Sequence, residues 1–187
     1  MIEEKITGII LAGGKSSRMG EEKGLVEFRS KRLIEYSIDL FQKLKYQIII
    51  IANDNCYDSY GFPVYSDIIQ DKGPMAGIHT ALQNSSTQWN AVITCDVPLI
   101  DFNVFRIIEN SRHGYDAVMP RFNNRLQPLT AMYQTKCKDS FYSSIREDQL
   151  RVRMLTEKFP TNIIEFDSGF KSSFTNINTK EDIKRCK

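Results

Sequence analysis

Two hydrophobic patterns alternate along this chain, and each predicts a different element. Short unbroken runs of β-branched residues suit strands covered on both faces, while apolar positions three or four apart suit helices with one buried side. "ITGIILAG" is the first such run and predicts a buried strand ending in glycine. "RLIEYSIDLFQKL" then sets Leu33, Ile34, Ile38, Phe41 and Leu44 on one helical face. "QIIIIAN" predicts a second covered strand, and "FPVYSD" a short one entered through Pro63.

"GPMAGIHTALQ" opens a helix with Pro74 in its first turn and Ile78, Ala81 and Leu82 along one side. "WNAVITCD" is a strand closed by Asp96 and broken by Pro98. "DFNVFRIIENSRHG" is a helix with Asp101 as its N-cap and Gly114 as its stop. "YDAVMP" and "PLTAMY" read as strands around a polar loop at Asn123 and Asn124. A helix near residues 136–146, a strand "NIIEF" and a last helix starting near Thr179 complete the chain. This alternation predicts an α/β fold, a three-layer sandwich around a mainly parallel sheet. No repeat, low-complexity tract or linker interrupts the 187 residues, so one domain over 1–187 is expected.

Composition narrows the function. The net charge is only +2, no Lys/Arg block stands out, and aromatic and basic residues do not interleave, so nucleic acid is not an expected partner. "MIEEKITGII" has acids where a signal peptide needs bases, and its apolar run is too short for a bilayer. The expectation is a cytoplasmic protein with no membrane contact. Cys56, Cys95, Cys137 and Cys186 form no C-x-x-C pair and match no zinc spacing, which suits free thiols in a reducing compartment.

Chemistry concentrates in "LAGGKSSRMGEEKG", where Gly13, Gly14, Gly20 and Gly24 share one loop with Lys15, Arg18 and Lys23. A Walker A loop would need glycine at position 9, which is Ile9. The dinucleotide fingerprint fails on the spacing of Gly13, Gly14 and Gly20, and no acidic residue closes a second strand about twenty positions on. Adjacent glycines still let backbone N–H groups approach an anion. Arg18 can grip phosphate oxygens in parallel, with Lys23 as a compact point charge. Against a merely solvated loop, this concentration after a buried strand points to polyphosphate binding.

Asp96 stands where a parallel strand delivers its carboxyl end to the ligand crevice of an open sheet. It suits a Mg²⁺ ligand, since that ion needs few protein carboxylates beside waters and phosphates, and it suits a turn equally well. Asn176 and Asn178 in "TNINTKEDI" have two readings as well: a metal shell or second-substrate contact, or a helix boundary capped by Asn178 or Thr179.

The loop L-A-G-G-K-S-S-R-M-G-E-E-K resembles the signature of the molybdenum cofactor guanylyltransferases, and "VYSD", "GPMAGI", "CDVPLI" and "QPLTAMY" with "TNINTKEDI" match in order. The match covers nearly the whole chain and is weakest between residues 136 and 170. Glu22 departs from the family, which usually carries Asp before the lysine. The resemblance implies a single-domain, Rossmann-like nucleotidyltransferase fold that moves GMP from GTP to the phosphate of molybdopterin with Mg²⁺. It implies Arg18, Lys23 and Asp96 as catalytic residues, with Asp96 on the metal. GTP would meet Leu11, Ala12, Gly13, Gly14, Lys23, Asn53, Asp67 and Asp96, with Asp67 reading the base and Asn53 beside it. The molybdopterin side would comprise Gly77, Gln127, Pro128, Asn176 and Asn178.

The acceptor's phosphate monoester is already anionic at neutral pH, so the chemistry needs no general base, and no Ser-His-Asp, Cys-His or paired-carboxylate set can be assembled. A monomer is expected, in transient contact with proteins that donate and accept the cofactor. The competing readings are a transferase using another nucleotide or acceptor, cytidylylation or sugar-phosphate activation among them, and a nucleotide-binding module without catalysis.

Overall fold

A computed structural model of the chain describes residues 4–13 and 22–186. Its elements in chain order are β1 (Ile6–Leu11), β2 (Glu27–Phe28), β3 (Lys31–Arg32), α1 (Leu33–Lys43), β4 (Gln47–Ile51), β5 (Val64–Tyr65), α2 (Pro74–Asn84) and β6 (Trp89–Thr94). There follow α3 (Phe102–Asn110), β7 (Ala117–Phe122), β8 (Arg125–Leu126), β9 (Ala131–Gln134), α4 (Lys138–Arg146), β10 (Thr161–Phe166) and α5 (Lys180–Arg185).

All six residues of β1 are buried, as a strand covered on both faces requires. It lies inside one sheet of order β10-β7-β9-β6-β1-β4-β5, with β8 paired to β7. Pairings β1–β4, β1–β6, β4–β5 and β10–β7 are parallel, and β9 runs antiparallel to both neighbours. Side-chain alternation then divides the core. Ile6 and Ile10 of β1 with Ile48 and Ile50 of β4 meet Ile38 and Phe41 of α1 and Phe105 of α3. Ile9, Leu11, Ile49 and Ile51 join Met75 and Ile78 of α2 and Phe141 of α4 on the other face. The result is the three-layer α/β sandwich.

One close approach depends on a missing side chain. A Cβ on Gly8 would fall 2.3 Å from Phe41 Cδ2, inside the volume of the ring. Phe41 has little room to yield, since Phe105 packs edge-on at 5.4 Å and Tyr46 lies at 5.6 Å. Gly8→Ala should therefore lower the unfolding free energy by about 1–3 kcal/mol. Urea denaturation reads this as a lower midpoint at unchanged slope; an unchanged midpoint would mean that the ring slides aside without strain.

Some local expectations shift. α3 is capped by Asp101, whose side chain accepts from Asn103 N at 2.8 Å, but it stops at Asn110, and Gly114 turns the chain three residues past the Ser111 cap at φ +81°. "PLTAMY" becomes strand only from Ala131. Opposite β7 the partner is split into β8 and β9, with the break facing Pro120. Proline has no N–H to donate across, and only its carbonyl is used, by Gln127 N at 2.8 Å. Among the described residues no helix is long and apolar enough to cross a membrane.

Candidate active site

The carboxyl ends of β1, β4, β5 and β6 and the amino end of α2 surround a cavity of about 520 Å³. Leu11 and Gly13, the group Asn53, Asp67, Gln70 and Gly77, and the pair Glu22 and Thr94 all line it.

Within that group, Asn53 and Asp67 hold each other. Asn53 Nδ2 donates to Asp67 Oδ2 at 3.1 Å, and Asp67 N donates to Asn53 Oδ1 at 2.9 Å. Gln70 Nε2 donates to the Asp67 carbonyl at 2.6 Å. Asp67 Oδ1 is buried and has no hydrogen-bond partner among the described residues. An orphaned buried acceptor is costly and marks where a ligand donor belongs. Burial pushes the Asp67 carboxyl above its ordinary 3.8, while the bond from Asn53 pulls it back. Gly77, read from the sequence with the second substrate, stands on this side: a Cβ there would lie 3.2 Å from Leu11 Cδ2 and 3.6 Å from Asp67 Oδ1. Its bareness lets α2 pack closely against Leu11 and the Asp67 carboxylate.

Beyond Thr94, and outside the cavity lining, residues far apart in sequence converge. Lys23 Nζ donates to Asp96 Oδ2 at 2.7 Å and to Asn178 Oδ1 at 2.5 Å. Asn176 Nδ2 donates to Asp96 Oδ2 at 3.2 Å, and Thr94 Oγ1 donates to Asp96 Oδ1. The Lys23 and Asp96 side chains are 22% and 13% exposed, so solvent screens the pair only in part. Thr94 lines the cavity and touches Asp96 directly, which sets this cluster beside the nucleotide-sized space.

The local chain explains the convergence. Strand β6 carries Asp96 to the rim, where its carbonyl accepts from Ile177 N at 2.7 Å. Ile177 is fully buried in a satellite core with Val26, Phe28 and Leu33. The same core thus seats the segment after Lys23 and the segment bearing Asn176 and Asn178. Thr179, not Asn178, caps α5, accepting from Asp182 N at 3.1 Å. Asn178 is left to point at Lys23.

Other expected residues sit differently. Gly13 N and Ala12 N both donate to the Ile51 carbonyl, at 3.1 and 2.9 Å, because the β1–β4 pairing continues beyond the strand. The Gly13 amide is therefore spent on the sheet, and Gly13 serves the cavity as wall. Ala12 is buried in the core under α1 and α3, on the opposite face. Gln127 and Pro128 lie in the break between β8 and β9, at the same sheet end as Asp96 but outside the cavity lining. Gly14 and Arg18 lie outside the described residues. Sequence reading missed Thr94 and Gln70. Thr94 was findable, since two residues before Asp96 on an extended chain places it on the same face. Cys95 is no nucleophile, because burial and then the Asp96 charge push its thiol up to about 12.

Asp96 and Asn178 present oxygen only, the hard donor set that magnesium prefers, and their oxygens already gather a cation, the Lys23 ammonium. Among the described residues no three His, Cys, Asp or Glu are grouped to hold a metal unaided. A carboxylate sharing its ion with substrate phosphates fits both facts.

The profile of the family described as "MobA-like NTP transferase domain" matches residues 8–161. A probable molybdenum cofactor guanylyltransferase of Flavobacterium johnsoniae is 35% identical over 182 residues, covering 96% of this chain and 95% of that protein. A protein of the same description from Clostridium perfringens is 32% identical over 186 residues, covering 95% and 94%. The solved structure of molybdopterin-guanine dinucleotide biosynthesis protein A from Archaeoglobus fulgidus superposes with a TM-score of 0.81 at 26% identity, covering 96% of this chain and 95% of that one. With the fold, the crevice and the sequence all in agreement along most of its length, the chain belongs to the MobA-like NTP transferase family.

Proposed function

We propose that this protein transfers GMP from GTP to the phosphate of molybdopterin, forming the guanine dinucleotide and releasing pyrophosphate. The observation that carries the choice of base is Asp67, a carboxylate in the cavity lining whose buried Oδ1 has no hydrogen-bond partner among the described residues. Guanine presents two adjacent donors, N1–H and the 2-amino group, and a carboxylate accepts both. Oδ2, which Asn53 engages through one lone pair, retains another for the second bond. Adenine offers an acceptor at that edge and leaves the carboxylate unpaired, a mismatch that such a site rejects strongly.

With the base at Asp67 and the sugar along Leu11, the triphosphate runs toward Lys23. The acceptor's phosphate monoester, with its second pKa near ~6, is anionic at neutral pH. Its oxygen attacks the α-phosphorus as the bond to the β-phosphate oxygen breaks, and pyrophosphate departs with the electron pair. No residue needs to remove a proton. Lys23 neutralises phosphate charge, and Thr94 and Asn176 hold the Asp96 carboxylate in one orientation. Asp96, with Asn178, would hold Mg²⁺, which when bound supplies charge neutralisation at the transferring phosphoryl group and the leaving group. The pterin lies toward Gln127, Pro128 and the two asparagines.

The test supplies the purified protein with molybdopterin, Mg²⁺ and each of GTP, ATP, CTP and UTP, alone and in competition, with pyrophosphate release as readout. GTP should be consumed in preference to the others. A preference for CTP would overturn the assignment of Asp67.

A further inference from the structure

The lysine and the expected metal lay claim to the same oxygens. Lys23 Nζ sits 2.7 Å from Asp96 Oδ2 and 2.5 Å from Asn178 Oδ1. Both Asp96 oxygens are engaged, one by Thr94 and the other by Lys23 and Asn176. A divalent ion binding Oδ2 would stand within a few ångströms of a positive charge in a site that is 13–22% exposed, where repulsion is poorly screened. The two cations exclude each other.

We propose that Lys23 is the occupant of the cation position until a nucleotide arrives, so that the divalent ion loads with the triphosphate and not before it. The polyanionic tail attracts the ammonium away from Asp96, and the ion on those phosphates takes over the carboxylate. The exchange asks for a swing of the lysine side chain. Lysine has a flexible four-carbon stem, while the segment after Lys23 and the segment bearing Asn178 are both seated in the satellite core of Val26, Phe28 and Ile177. Asn178 gains a second role in this scheme, holding the ammonium first and offering the same oxygen to the ion afterwards. The nucleotide half of this inference rests on the function proposed above; the competition between Lys23 and the ion stands on the geometry alone.

Mn²⁺ titration followed by electron paramagnetic resonance separates the two. Without nucleotide the wild-type chain should bind Mn²⁺ weakly, and Lys23→Met and Lys23→Gln should bind it at least about tenfold more tightly. The double variant Lys23→Met with Asp96→Asn should lose that gain, tracing it to this carboxylate. Added GTP should tighten Mn²⁺ on the wild type far more than on the single variants. Equal affinity in the wild type and both folded single variants, or tight Mn²⁺ binding by the wild type alone, overturns the placeholder role of Lys23. If the variants gain affinity but GTP has no effect on the wild type, the placeholder stands and the proposed function fails. Near-ultraviolet circular dichroism of each variant establishes that the fold is retained.

Discussion

Asp96→Ala should reduce kcat for pyrophosphate release by about three orders of magnitude or more, at the upper end of what losing one charge-organising group at a reacting centre costs. The carboxylate is the meeting point of the cluster: Lys23, Thr94 and Asn176 all donate to it. Without it the ammonium still holds Asn178, and a divalent ion loses the carboxylate at the centre of the cluster. Asp96→Asn keeps the shape and loses the charge, so it should be nearly as inactive. The fold should survive in both. The contact that docks the C-terminal segment is a backbone bond, Ile177 N to the Asp96 carbonyl, which the substitution leaves in place. The pair is partly exposed, so the stability cost is about 1–2 kcal/mol, between the values for surface and buried pairs. Thermal melting checks the fold, and a pyrophosphate assay checks the rate. A folded variant within about tenfold of wild-type turnover would remove Asp96 from the chemistry.

The layered core was readable because β1, β4 and β6 are covered on both faces, and strands in that situation are mostly apolar, with Thr7 and Asn90 as buried polar exceptions. The helices were readable for the complementary reason, one buried stripe each. What escaped was short or set by pairing. The hairpin of β2 and β3 has two residues per strand and turns at Arg29 and Ser30, both at positive φ, with no glycine to announce it. β8 is equally short, although Asn123 and Asn124, also at positive φ, did mark its turn. The spending of the Gly13 amide on Ile51 depends on how far β1 and β4 stay paired, and no local pattern records that.

In the site the individual residues were legible and their company was not. Lys23, Asp96 and Asn178 stand out by type and place in the chain, yet separations of 73 and 155 residues from Lys23 are closed only by the fold. Gly77 shows the converse. Its neighbour Pro74 correctly predicted the helix start, but only the packing of α2 against β1 and β4 reveals that its missing Cβ faces Asp67.

Asp67→Asn should trade activity for stability. For GTP, kcat/KM should fall about a hundredfold or more, since bonds to a charged acceptor contribute about 1.5–3 kcal/mol each and guanine would make two. Discrimination against ATP and CTP should relax together with it, because the substituted amide presents a donor where guanine needs an acceptor. The protein without nucleotide should melt higher at neutral pH. Burial raises the Asp67 carboxyl in the folded chain above its ordinary 3.8. A group raised in this way favours the fold fully below its unfolded value and loses that contribution as pH climbs through the folded one. At neutral pH the buried charge therefore works against folding, and a neutral amide removes the cost; near pH 3 the advantage of the variant should vanish. The same raised carboxyl sets the acid limb of the wild-type profile. Binding of guanine needs the ionised form, so kcat/KM for GTP should decline as pH falls through a value above that of an ordinary aspartate. Melting curves at pH 3 and pH 7 with kcat/KM for three nucleotides test both halves. A variant that keeps its preference for GTP would place base recognition elsewhere in the crevice, and one that melts lower at pH 7 would mean that the Asn53 bonds outweigh the burial of the charge.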